Sequence, residues 1–162
     1  MGTSTIDGTI ESAVLKRARR NVRQYESIVF RLADGGTKTW TRAVVEAKVA
    51  ERLLPGTSGR FYLFTAIDHR GIHGVRDDKG NEAFGFARVN ETAMLWVTAL
   101  AFVWVALTLY FAGDVPIIGT LILILGLPAW FLYRKTRLEA VRQFQADSGF
   151  HPAAAPGAPA TA

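Results

Sequence analysis

The chain has 162 residues, with 19 Lys and Arg against 14 Asp and Glu, a formal charge of +5 and no cysteine. That length suits one ordinary domain, or a small domain joined to a membrane segment. The lack of cysteine excludes disulfides and thiolate metal sites, and leaves the redox compartment unspecified.

Charge is distributed unevenly. Residues 1–91 hold 15 of the 19 basic and 11 of the 14 acidic side chains, whereas 92–113 and 115–133 hold none, with Asp114 between them. The chain is therefore bipartite. Its opening stretch, MGTSTIDGTIES, lacks the apolar core of a cleavable signal peptide, and Ile6 stands where N-myristoylation requires Ser or Thr.

In chain order, TIESAVLKRA and YESIVFRL read as strands. Between them KRARRNVR concentrates Lys16, Arg17, Arg19, Arg20 and Arg23 in an expected solvated loop. Such a cluster attracts anionic headgroups, an acidic partner or nucleic-acid phosphates. No RNA-binding motif accompanies it, and nucleic acid is the least favoured of these partners. Asp34, Gly35 and Gly36 signal a hairpin turn before TKTWTRAVV. In VEAKVAERLLPG the period changes: Val45, Val49 and Leu53 lie four apart and Pro55-Gly56 stops the pattern, which predicts a short amphipathic helix. GRFYLFTAI is the strongest strand, without alternation, as a strand covered on both faces requires. IHGVR, a turn at DDKG and EAFGFARV supply a last hairpin.

AIDHRGIHGVRDDKG raises the question of chemistry. His69 and His73 have the spacing that a helix would turn into a metal-binding pair, but Gly71 and Gly74 argue against a helix there. On a strand the two rings would lie ~13 Å apart, too far for one metal. A turn at Arg70-Gly71 would let Asp68, His69 and His73 converge as ligands or acid/base groups. The favoured reading is a strand end, a tight turn and a second strand. In the DDKG turn, Asp side chains satisfy backbone N–H groups. No catalytic residues, resident metal or cofactor are assigned.

TAMLWVTALAFVWVALTLYFA (92–112) is long enough to cross a bilayer, and PIIGTLILILGLPAWFLY (116–133) is near the short limit. The tight connection makes them an antiparallel hairpin. Arg134, Lys135 and Arg137 follow the second span, Arg88 precedes the first, and Asp114 occupies the loop. The positive-inside bias then places both termini in the cytoplasm. Small residues recur every seven positions: Thr92, Ala99, Ala106 and Gly113 on the first span, Gly119 and Gly126 on the second. These are candidates for helix packing. Arg134, Lys135 and Arg137 also join the basic run as candidate lipid or phosphate contacts. Beyond them, Leu138, Val141 and Phe144 form a modest apolar stripe, suited to resting on a membrane interface or to extending the helix.

The expected fold is an α+β membrane protein. Residues 1–90 form a small cytoplasmic β-barrel or sandwich-like head, OB- or SH3-like, with one short helix. Residues 91–134 form the transmembrane hairpin, 135–148 a juxtamembrane helix, and the Pro/Ala-rich 149–162 a disordered tail. The expected function is a two-pass protein of a bacterial inner membrane, a non-enzymatic interaction, accessory or regulatory subunit. Its partners are the bilayer and another membrane protein or a second copy. The alternatives are a membrane-tethered enzyme or metal-binding protein using Asp68, His69 and His73, and an anionic-lipid or nucleic-acid binder using residues 16–23.

Overall fold

The computed structural model describes residues 2–66, 68–86 and 89–149, and divides into two compact units: 1–87 with the chain from 138 onward, and 88–137. In the first, the elements run β1 (Gly2–Ala18), β2 (Val22–Leu32), β3 (Thr37–Glu46), α1 (Ala47–Ala50), β4 (Ser58–Thr65), β5 (Arg70–Asp77) and β6 (Glu82–Phe84). β1 pairs antiparallel with both β2 and β4, β2 with β3, and β4 with β5. A parallel β3–β5 ladder, Ala43↔Arg70 through Val45↔Ile72, closes five strands into a barrel, and β6 hangs on β5. Closure removes the open edges that a flat sheet of this size would present.

Gly71 makes the closure possible. A Cβ there would collide with the Val44 carbonyl and lie 2.8 Å from the Phe64 ring, so only a residue without a side chain lets the strands approach. Inside the barrel, Ile6, Ile10, Ile28, Phe30, Val45, Phe61, Leu63, Ile72 and Val75 form one apolar core, with Phe30 and Phe61 rings 5.0 Å apart. The helix between β3 and β4 is shorter than its apolar spacing predicts. Val45 belongs to β3, because the β2 ladder holds that strand through Glu46, and Val49, Ala50 and Leu53 follow it into the core. The last strand is also shorter than the EAFGFARV pattern, ending at Phe84.

β4 buries both faces. Phe61 and Leu63 point into the core, while Tyr62 and Phe64 on the other face are covered by rings from β5, from Phe86 just after β6 and from the chain's last helix.

The second unit is built on α2 (Val89–Ala112) and the first part of α3 (Ile117–Ala146). Both helices are long and apolar enough to cross a membrane, and only 11% of each apolar window is buried. A core helix of a soluble protein would bury most of it. Helix α3 does not stop at the basic residues after Tyr133, since Arg and Lys are good helix formers, and its last turns, from Leu138, belong to the barrel unit. The tail expected to be disordered lies, from Phe150, outside the described residues, as does Arg88.

Candidate functional site

The strand, turn and strand expected around Asp68–His73 are present with shifted bounds: β4 ends at Thr65 and not at Asp68, and Arg70 and Gly71 already belong to β5. The Ala66 N–H donates to the His69 carbonyl at 2.8 Å, and β5 begins at Arg70. Asp68 and His69 meet, Oδ1 to Nδ1 at 2.6 Å. His73 does not join them. Its ring is fully buried among Tyr62, Phe64, Phe84 and Phe86, at centroid distances of 5.9–6.4 Å. Phe64 also packs edge-on against His69 at 5.5 Å. The alternation that sends His73 into the aromatic layer leaves the Asp68–His69 pair outside β5. Among the described residues no three His, Cys, Asp or Glu side chains are grouped as a metal site.

Among the described residues neither His73 nitrogen has a partner in hydrogen-bond geometry. Burial pushes its pKa down to about 4, against a smaller opposing effect of the Ala140 backbone. The Tyr62 hydroxyl is pushed up to about 12, first by burial and then by the Asp147 carboxylate, which approaches it without reaching hydrogen-bond geometry. Asp77, in the next turn, serves the backbone: its Oδ1 accepts from the N–H groups of Lys79 and Asn81, and its Oδ2 from the Asn81 amide.

The covering of this aromatic layer was not legible in the sequence. Phe144, near the end of α3, lies 5.0 Å from Tyr62 and 5.1 Å from Phe84, ring to ring. Gly74 provides the recess it needs, since a Cβ there would stand 2.6 Å from the Phe144 ring. Arg76, nearly buried, lays its guanidinium 4.5 Å over the same ring. It donates to the carbonyls of Phe144 (3.2 Å) and Ser148 (3.1 Å), and pairs with Glu82 at 3.2 Å. A cation is thereby placed where the helix leaves its last carbonyls unsatisfied. Arg60 grips Asp7 through two hydrogen bonds of 2.7 Å and reaches Asp147 at 3.2 Å. Asp7 holds the Arg60 guanidinium firmly charged. Of the expected stripe, Phe144 is buried, Val141 half-buried and Leu138 exposed. The signal available was Phe144 together with Gly74, but nothing in either segment says that they meet.

The basic run occupies a β-ribbon. Lys16 and Arg17 end β1, Arg19 and Arg20 form the turn, and Arg23 enters β2. All but Arg23 are exposed, and Arg23 Nη1 donates to the Arg19 carbonyl at 2.7 Å.

In the helix unit, Gly126 and Gly119 face α2. A Cβ at Gly126 would collide with the Thr98 hydroxyl, and one at Gly119 would stand 2.7 Å from Val105. The expected α2 series is on another face: Thr92, Ala99, Ala106 and Gly113 are exposed, while Thr98 and Ala101 are buried and Met94, Val105 and Thr108 half-buried. A seven-residue repeat specifies that a face exists, not which face meets the neighbour, and α2 carries several such repeats. Arg137 pairs with Glu91 at 3.0 Å, tying the two helices, and Arg134 lies 5.3 Å over the Trp130 ring. Lys135 is exposed.

Compared with protein-family models, with curated proteins and with solved structures, the chain matches none.

Proposed function

We propose that the chain is a two-pass inner-membrane protein that presents its β-barrel to the cytoplasm as an interaction module, an accessory or regulatory subunit of a membrane assembly rather than an enzyme. The observation that carries this reading is the outward face of the helix unit. Trp96, Leu100, Phe102, Ile118, Leu125 and Phe131 are all more than half exposed on helices with no charge between residues 92 and 113 or between 115 and 133. Water does not tolerate an apolar surface of that extent, and lipid does. The orientation is supported by Arg134, Lys135 and Arg137 beyond the second span and by Asp114 in the connection. The barrel, with its helix between third and fourth strands and its parallel closure of third on fifth, fits the OB-like alternative better than the SH3-like one. Such a shape supports binding roles without naming a ligand.

A binding role is favoured over chemistry by how the reactive groups are used. His73 is enclosed in rings, Asp77 holds a turn and Arg76 caps a helix. Membrane fractionation of the full chain tests the reading: it stays with membranes through alkaline carbonate, and a reporter fused at residue 1 is found on the cytoplasmic side. A chain that is monodisperse in buffer without detergent, or an outward-facing reporter, overturns it. Crosslinking in native membranes then separates a heterologous membrane partner from a second copy.

A further inference from the structure

The basic run acquires a shape in the fold that its composition alone does not have. β1 pairs with β4 only as far as Thr9, whereas its ladder with β2 continues to Ala18↔Arg23. The outer half of β1 therefore runs beyond the β1–β4 seam as the rim of a ribbon whose inner strands are β2 and β3, the last two paired at Val22↔Glu46 and Arg23↔Val45. Register shifts between Ile10 and Ser12, Val14 and Leu15, and Leu15 and Arg17 add local twist to it.

Its surface combines two chemistries. Lys16, Arg17, Arg19 and Arg20 are exposed, Arg23 is half-buried, and no carboxylate lies between Glu11 and Glu26. Glu11 is itself paired with Arg31. Beside these cations Val14 and Leu15, 48% and 49% exposed, stand uncovered. No aromatic residue lies between Glu11 and Gln24.

We propose that this ribbon docks on an anionic bilayer surface. Lys16, Arg17, Arg19, Arg20 and Arg23 meet lipid phosphates, and Val14 and Leu15 enter the headgroup boundary. Aliphatic side chains next to flexible cations suit an interface that is charged outside and apolar just beneath. Single-stranded nucleic acid calls for rings on which bases stack, and the ribbon carries none. The inference rests on the membrane reading above, which keeps a bilayer within reach of every copy. Each base near an anionic surface strengthens partitioning on the order of five-fold, so removing three weakens it on the order of a hundred-fold.

The chain has no cysteine, so Leu15→Cys accepts a single environment-sensitive dye. The full-length labelled protein is placed in nanodiscs of phosphatidylcholine alone or with a third phosphatidylglycerol. The expected result is a blue shift only with the anionic lipid, reversed by high salt, lost in Arg17→Gln/Arg19→Gln/Arg20→Gln and kept in the corresponding triple Lys variant. A protein that enters nanodiscs and gives the same spectrum in both lipids overturns the inference and leaves the membrane reading standing. If the chain proves soluble, the membrane reading fails, and the labelled protein added to preformed vesicles of the same two compositions decides the docking separately. A response to an oligonucleotide with none to anionic lipid also overturns it, in favour of nucleic acid.

Discussion

The barrel unit and the helix unit treat the same residue types in opposite ways. Phe30 and Phe61 are fully enclosed in the barrel, whereas Phe102 and Phe111 on α2 are 65% and 79% exposed. An aromatic side chain gains by leaving water, and in one unit the protein itself supplies the apolar surroundings. In the other it does not, and the surroundings must come from outside. The contrast teaches that burial within the chain completes the barrel but not the helix unit, and the membrane proposed above would supply what is missing there. Equal truncations in the two units should then have unequal effects. Phe61→Ala should destabilise the barrel by about 3–5 kcal/mol, while Phe102→Ala should stay within about 0.5 kcal/mol, both measured by denaturation of the full chain in mild detergent. Comparable losses at the two positions would break the comparison.

The aromatic layer around His73 sharpens it through pH. The folded state holds the imidazole neutral down to about pH 4, while the unfolded chain takes up a proton below its ordinary value of 6.5. Stability is therefore full above pH 6.5, falls as pH drops from 6.5 toward 4, and levels off below. The whole loss is about 3 kcal/mol. Of the rings packed on His73 only Tyr62 ionises, and it does so near pH 12, outside this window. His73→Leu should remove that part of the slope, read as the difference between the two proteins' stability curves from pH 7 to pH 4. Parallel curves would mean that the ring is solvated in the folded state.

Gly74 and Phe144 give a smaller effect with a clear signature. A methyl at position 74 must displace the Phe144 ring, so Gly74→Ala should cost about 1–3 kcal/mol. In a Phe144→Ala background the same change should cost almost nothing, and thermal melts of the four proteins in the cycle measure the coupling. Additive effects would mean that α3 does not end on the barrel.

These residues also mark where sequence reading stopped. The strands were legible because short apolar, β-branched runs such as Ile28-Val29-Phe30 and Ala43-Val44-Val45 stand between polar residues and turn signals. The helices were legible from their lack of charge. Phe144 was visible as part of a stripe, but the stripe does not state its partner. Gly74 reads as a weakness in a strand until a ring is found above it. The Asp68, His69 and His73 question turned on one residue of register, which sequence spacing near a turn does not determine. The helix seam was legible in part: Gly119 and Gly126 face α2, while Ala99 and Ala106 lie one position away from Thr98 and Val105, the residues that meet them.

That seam supplies the smallest effect. In lipid, apolar side chains gain nothing by leaving the bilayer for a neighbouring helix, so close packing between small residues carries the association. Gly126→Ala forces the Thr98 side chain aside and should weaken the helix pair by about 1 kcal/mol. Ala99→Leu, on the exposed face of α2, should leave it unchanged, because lipid accommodates the larger side chain. The readout is energy transfer between dyes at the start of α2 and at Lys135→Cys on α3, titrated with a denaturing detergent. If Ala99→Leu instead separates the helices and Gly126→Ala does not, the seam runs along the seven-residue series of α2. The face now assigned to lipid would then be the one that holds the pair together.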